Sequence, residues 1–186
     1  MYLSTENSIL SIERVEYYHN VLEAKLVICD MVFSIETEFI ENKQEDVEKQ
    51  DCEIKAFYRL AKKLKKEYPR LHICILEDSL YACDKVFEIC KENRWKYILR
   101  FKEGSIPSIA KEFKTIHKIE PKVLETEEEN EKEEITKLYK YVNEIDYYDK
   151  KINMVEFKEQ VINKKNKKKT ESTFVFITTL KYQKEI

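Results

Sequence analysis

The chain has 186 residues, 36 acidic and 34 basic, for a net charge of −2. No global field therefore draws it to nucleic acid or to a membrane surface, and any such binding must come from local patches. Hydrophobic residues make up 42%, enough to pack a core in one domain with an inserted subdomain, while a single glycine, Gly104, excludes a glycine-rich phosphate loop and a dinucleotide fingerprint.

The cysteines, Cys29, Cys52, Cys74, Cys83 and Cys90, are odd in number and contain no C-x-x-C. They read as reduced core thiols of a cytoplasmic protein. His19, His72 and His117 show no metal-ligand spacing, so a zinc site is not expected. No stretch approaches the ~18 apolar residues of a membrane-spanning helix. The start, MYLSTENSIL, lacks the basic and apolar regions of a signal peptide.

Residues 15–30, VEYYHNVLEAKLVICD, predict a strand ending near Asp30. Residues 31–40 alternate at period two, which predicts a second strand paired antiparallel with the first. Val32, Ser34, Glu36 and Glu38 fall on one side of it, and Phe33, Ile35, Thr37 and Phe39 on the other. From Val47 to Tyr68 the apolar positions Ile54, Phe57, Ala61, Leu64 and Tyr68 recur every three or four residues. That predicts a helix whose opposite face carries Lys55, Arg59, Lys62 and Lys66 into solvent, with Pro69 as its stop.

Residues 71–77, LHICILE, form a continuous apolar run and predict a central strand covered on both faces. The run stops abruptly on two carboxylates, Glu77 and Asp78. Residues 83–93 predict a short helix with Val86, Phe87 and Cys90 inward, and 95–102, WKYILRFK, a further strand. Strand–helix–strand at this spacing implies parallel pairing through a right-handed crossover. Residues 105–116 open a third helix, with Ser105 or Ser108 as its cap.

After Pro121 the acidic run LETEEENEKEEI, 124–135, reads as a solvated loop or helix face. Residues 135–161 predict two strands joined near Tyr148, Asp149 and Lys150. NKKNKKKTES, 163–172, reads as a lysine-rich hairpin turn, and TFVFITTL, 173–180, as the last strand. The expected division is a core over 1–120 and a β-rich insertion subdomain over 121–186.

The element order predicts an α/β fold, and it resembles a ribonuclease-H-like core, a mixed sheet flanked by helices, incomplete with its first strand missing. In such a core, carboxylates at the carboxyl edge of adjacent central strands hold two divalent metals for phosphodiester chemistry. The alternative for Asp78 is a helix cap for the segment that begins near Leu80.

The stretches YYHNVLEAKLV, ETEFIEN, KQDCEIKAFYRLAKKLKK, LEDSLYA, WKYILRFKEGSIP and STFVFIT resemble, in order and spacing, the DDE transposases of bacterial insertion sequences. The resemblance runs over most of residues 17–180. It implies Mg²⁺-dependent DNA cleavage and strand transfer, with DNA (transposon ends and target) as partner. The family's second catalytic aspartate falls in the DSLYA element and so maps onto Asp78, as catalytic residue and metal ligand. Glu77 points to the other face and does not inherit the role. The family's first aspartate belongs on a strand upstream of YYH, where residues 1–16 contain no Asp. Its glutamate belongs on a helix beyond the β insertion. The resemblance thus implies a chain truncated at both ends and inactive alone, with another copy or the missing transposase segments as partners. The competing reading is a non-catalytic DNA-binding or assembly protein derived from a transposase.

Other acids read as structural: Asp30 in a turn, Glu36 and Glu38 on a solvated strand face, Asp51 and Glu53 on a helix. For DNA contact, Arg100 and Lys102 follow a strand that ends beside Asp78. Lys164, Lys165, Lys167, Lys168 and Lys169 form a mobile basic tip able to track a phosphate backbone.

Overall fold

The structure, a computed structural model, describes residues 20–40 and 52–182. His19, Asp51 and the first residues of the expected strand and helix lie outside the described residues. The chain divides into two compact units, residues 1–60 and 61–186. The expected boundary at 120 falls inside the second unit, because strands before and after that position join one sheet.

In the first unit, β1 (Asn20–Ile28) and β2 (Met31–Ile40) pair antiparallel with a register shift between Ala24 and Lys25. Cys29 sits at the turn with φ 51°, a left-handed conformation more often given to Gly or Asn. Helix α1 (Glu53–Glu67) begins in this unit and ends in the second. Ala56, Phe57, Leu60, Ala61 and Leu64 make one buried stripe along it, the helical spacing of a core face. The stripe continues neither to Tyr68, which is exposed, nor past Pro69, which cannot extend the helix.

Arg59 departs from the expected solvated face. Its Nε donates to Glu38 Oε1 at 2.6 Å, and its Nη2 donates to the Phe39 carbonyl at 2.8 Å. Glu38 is correspondingly not a solvated strand acid, since its side chain is only 12% exposed.

The second unit is a six-stranded mixed sheet with helices packed on it. Its strands are β3 (Cys74–Glu77), β4 (Lys96–Arg100), β5 (Val123–Glu129), β6 (Glu133–Tyr147), β7 (Lys150–Asn163) and β8 (Lys169–Thr178), in the order β3-β4-β8-β7-β6-β5. β3 and β4 are parallel, as the crossover through α2 (Asp84–Asn93) requires, and every other pair is antiparallel. The strands after residue 121 therefore continue the core sheet: β8 adds directly to β4, with Leu99 opposite Ile177.

One face of this sheet is the core. Leu99, Ile177, Met154 and Val142 lie side by side across four strands and are almost wholly buried. Helix α3 (Pro107–Ile119) lies against β6 and α2 against β4, which buries Val86, Phe87, Cys90, Ile109, Ala110 and Phe113. A bulge between Val142 and Ile145, with Glu144 at φ 61°, keeps Ile145 in the core. Buried Asn153 stabilises it. Its Oδ1 accepts from the Glu144 N–H at 2.9 Å and its Nδ2 donates to the Thr178 carbonyl at 3.2 Å. Thr178 Oγ1 donates in turn to the Tyr97 carbonyl at 2.6 Å, so β4, β6, β7 and β8 are fastened by one satisfied polar chain.

Four expectations fail here. Among the described residues β3 is an edge strand, not a central one; Leu76 is 60% exposed because its side chain falls on the side opposite Ile75. The acidic run is a strand, β5, at the other edge of the sheet, where charge opposes edge-to-edge association. Neither Ser105 nor Ser108 caps α3; Ile106 holds the cap position without a side-chain bond and Pro107 supplies the first-turn geometry. Of the five cysteines only Cys90 is buried, whereas Cys29, Cys52 and Cys74 are exposed. No helix among the described residues is long and apolar enough to cross a membrane.

Candidate functional site

The short strand β3 fixes Asp78 one residue past its end. The backbone there stays extended, with φ −79° and ψ −173°, and Asp78 becomes the cap of a single 3-10 turn, Ser79–Tyr81. Its Oδ1 accepts the Leu80 N–H at 2.7 Å. The helix-cap alternative is therefore the observed bonding. The turn is anchored by Tyr81, 1% exposed, which holds the aspartate at a defined place on the sheet edge.

Parallel β4 ends beside it. Arg100 is the last residue of that strand, and Phe101 continues the pairing by donating its N–H to the Val175 carbonyl at 2.8 Å. Asp78, Arg100 and Lys102 then line one cleft of about 310 Å³, together with Ser79, Phe101, Thr173 and Val175. The carboxyl edge of parallel strands is where open α/β sheets bind ligands. Two cations and one carboxylate make this edge locally positive, which suits a phosphate oxygen.

Arg100 is preorganised. Its guanidinium carbon lies 4.3 Å from the centroid of the Phe174 ring, the geometry of a cation–π contact. Phe174 is itself braced by Phe157 and Phe176, and Phe157 by Tyr139 at 5.0 Å. This aromatic row crosses β6, β7 and β8 on the face opposite the core. The alternation in TFVFIT carries the signal for it, with Phe174 and Phe176 on one side and Thr173, Val175 and Ile177 on the other. Which strand they would face was not legible without the pairing of β8 to β4.

The lysine-rich segment is the β7–β8 turn, as expected, and it projects past the same edge. Because Phe176 pairs with Arg100, the strand from Phe176 back to Lys169 overhangs the end of β4 by about 23 Å at the usual rise. The turn is tightly built. Asn163 Oδ1 accepts from the N–H groups of Lys165 and Asn166, and the Asn163 N–H donates to the Lys168 carbonyl at 2.9 Å. Its charge is partly spent: Lys164 pairs with Glu129 and lowers that carboxyl's pKa, and Lys169 lies 3.9 Å from Glu171. Lys165, Lys167 and Lys168 make no ion pair among the described residues. The tip is thus separate from the cleft, and only three of its five lysines are unneutralised.

A divalent cation such as Mg²⁺ takes several oxygen ligands. Asp78 offers one carboxylate with an oxygen already engaged, and the charged side chains sharing its cleft are cations. Among the described residues, no three His, Cys, Asp or Glu side chains cluster to hold a metal. The described residues at this edge do not fit Mg²⁺. Compared with known proteins, the chain matches no family model, no curated protein and no solved structure.

Proposed function

We propose that the chain is a transposase catalytic-domain protein, with a ribonuclease-H-like core, that binds DNA along the carboxyl edge of its sheet and by itself neither cuts nor joins it. The observation carrying this reading is the convergence of Asp78, Arg100 and Lys102 in one cleft, at the edge where the resemblance to DDE transposases puts a catalytic aspartate. The element order supports the same reading: a hairpin, a helix, then two parallel strands joined through α2. Catalysis would need the other carboxylates of a metal site to come from another copy or from further transposase segments. The expected location is the cytoplasm.

The opposing features of the cleft favour a specific second reading, a transposase-derived DNA-binding or assembly protein with no catalytic role. There Asp78 serves as a cap and the two cations do the binding. One pair of assays tests both. The purified chain should retard an end-labelled duplex in a gel at low salt and leave it uncut in Mg²⁺. Absence of binding at low salt would sink the DNA reading altogether. Mg²⁺-dependent strand transfer by the chain alone, lost in Asp78→Ala, would show that it is a complete enzyme.

A further inference from the structure

The opposite end of β4 holds a second cleft, of about 350 Å³. Three elements meet there: the last turn of α2, the start of β4 and the β6–β7 turn. Lys91, Arg94, Trp95, Lys96, Lys150 and Lys151 line it, with Asp149 as the one carboxylate. From Lys96 to Arg100 the strand separates this cleft from the Asp78 edge by about 13 Å.

Five cations around one acid are an excess that the neighbouring ion pairs do not remove. Asp149 is shared by Lys91 and Lys150, whose hydrogen bonds hold its carboxyl down to about 2. Lys151 pairs with Asp146. Arg94 and Lys96 make no ion pair among the described residues. Arg94 also occupies the left-handed position that closes α2, with φ 57° and ψ 32°, where glycine is the ordinary choice. An arginine there accepts a backbone cost that glycine would not.

Trp95 supplies an independent observation. It lines the same cleft and is 3% exposed, and its indole N–H has no acceptor among the described residues. A buried donor without a partner is costly, and the residue that carries this one lines the cationic cleft. We propose that the cleft binds a phosphoryl group, with Arg94 and Lys96 as its chief counter-charges and Trp95 in the wall that closes on it. A planar guanidinium beside ammonium groups suits a phosphate, which offers more acceptor oxygens than a carboxylate. The volume exceeds what a bare phosphate needs, so the group belongs either to a small phosphorylated compound or to one backbone phosphate of a nucleic acid. The proposal uses none of the residues at the Asp78 edge and stands whether or not that edge binds DNA.

Trp95 is the only tryptophan in the chain, so its emission reports this cleft alone. Inorganic phosphate and, separately, a short DNA duplex would be titrated at constant ionic strength against sodium chloride. The expected result is a saturable change in Trp95 emission whose midpoint rises at least tenfold in Lys96→Gln and in Arg94→Asn. Asparagine tolerates the left-handed backbone, and Lys96 is exposed, so at least one variant keeps the fold. Arg100→Gln/Lys102→Gln should leave the response to inorganic phosphate unchanged. A response to phosphate assigns a free phosphorylated ligand; a response to duplex alone, with the same dependence on Arg94 and Lys96, assigns a nucleic-acid backbone. No response to either, or one that survives both substitutions, overturns the site.

Discussion

The carboxylate of Asp78 and the N–H of Leu80 share a 2.7 Å hydrogen bond that starts the turn after β3. The acid that the proposed function sets beside DNA is also the residue that shapes its own loop. The two roles separate by substitution. Asp78→Ala removes the cap and should cost about 1 kcal/mol in denaturant unfolding, whereas Asp78→Asn keeps an acceptor and should cost only a few tenths. In DNA binding the order is different. Asp78→Asn removes a negative charge beside Arg100 and Lys102 and should bind at least as tightly as the native chain. Weaker binding by Asp78→Asn would mean that the carboxylate itself holds the DNA, through a cation.

The cleft cations and the tip lysines should differ in weight. Each phosphate contact contributes about −0.9 to the slope of log K against log salt. Arg100→Gln/Lys102→Gln should therefore flatten that slope by about 1.8. Lys165→Gln/Lys167→Gln/Lys168→Gln should flatten it less than three full contacts would, since the β5–β6 end beside the tip is acidic and Lys164 is already bound to Glu129. Equal flattening per lysine and per cleft cation, measured by fluorescence anisotropy across a salt series, would make the tip the main binding surface.

Arg59 and Glu38 predict a stability effect in the first unit. The Glu38 side chain is 12% exposed and the Arg59 side chain 42%. Charge-assisted hydrogen bonds of this kind are worth about 1.5–3 kcal/mol. Arg59→Ala should destabilise by about that amount, and Arg59→Lys should recover only part of it because an ammonium cannot reproduce the guanidinium fork. Urea unfolding of both variants checks the order.

The cysteines should separate cleanly under alkylation. Cys29 and Cys52 are exposed and should label first with iodoacetamide. Cys74 is also exposed as a residue but should follow more slowly, because partial burial of its thiol raises its pKa despite the nearby Lys96. Cys90 should stay unlabelled until the chain unfolds, its pKa pushed up to about 12 by burial and then by Cys74. Mass spectrometry of the native protein reads the pattern. The folded state keeps the Cys90 proton while the unfolded thiol loses it near 9.0. Its contribution to stability is therefore whole below pH 9 and declines as pH rises toward 12.

Local chemistry was legible in the sequence where the signal was local. Val86, Phe87 and Cys90 point inward from α2 because their helical spacing says so. The hairpins at Asp30, at Asp149 and in the lysine run appear where turn residues break alternating strands. The approach of Arg100 and Lys102 to Asp78 followed from parallel pairing of β3 and β4 alone. What failed depended on partners far along the chain. LHICILE reads as doubly covered because Ile73, Cys74, Ile75 and Leu76 run without a polar break, but coverage is a property of neighbours, and among the described residues β3 has only β4. The glutamates of 125–129 look like a loop by composition, yet β6 offers a strand to pair with and the edge position tolerates their charge. Phe174 beneath Arg100, and Trp95 beside five cations, require a fold before they mean anything.

The pairing of Leu99 with Ile177 also sets a clock. β4 has only β3 to pair with until β8 has been synthesised, 78 residues after Arg100. At ordinary elongation rates that is a wait of roughly 4–16 s. Through that interval the nascent chain carries β4 with a bare edge and half a core, Tyr97 and Leu99 included. Such a segment exposes apolar surface of the kind chaperones bind. The final strand then closes the sheet from the middle rather than from its rim.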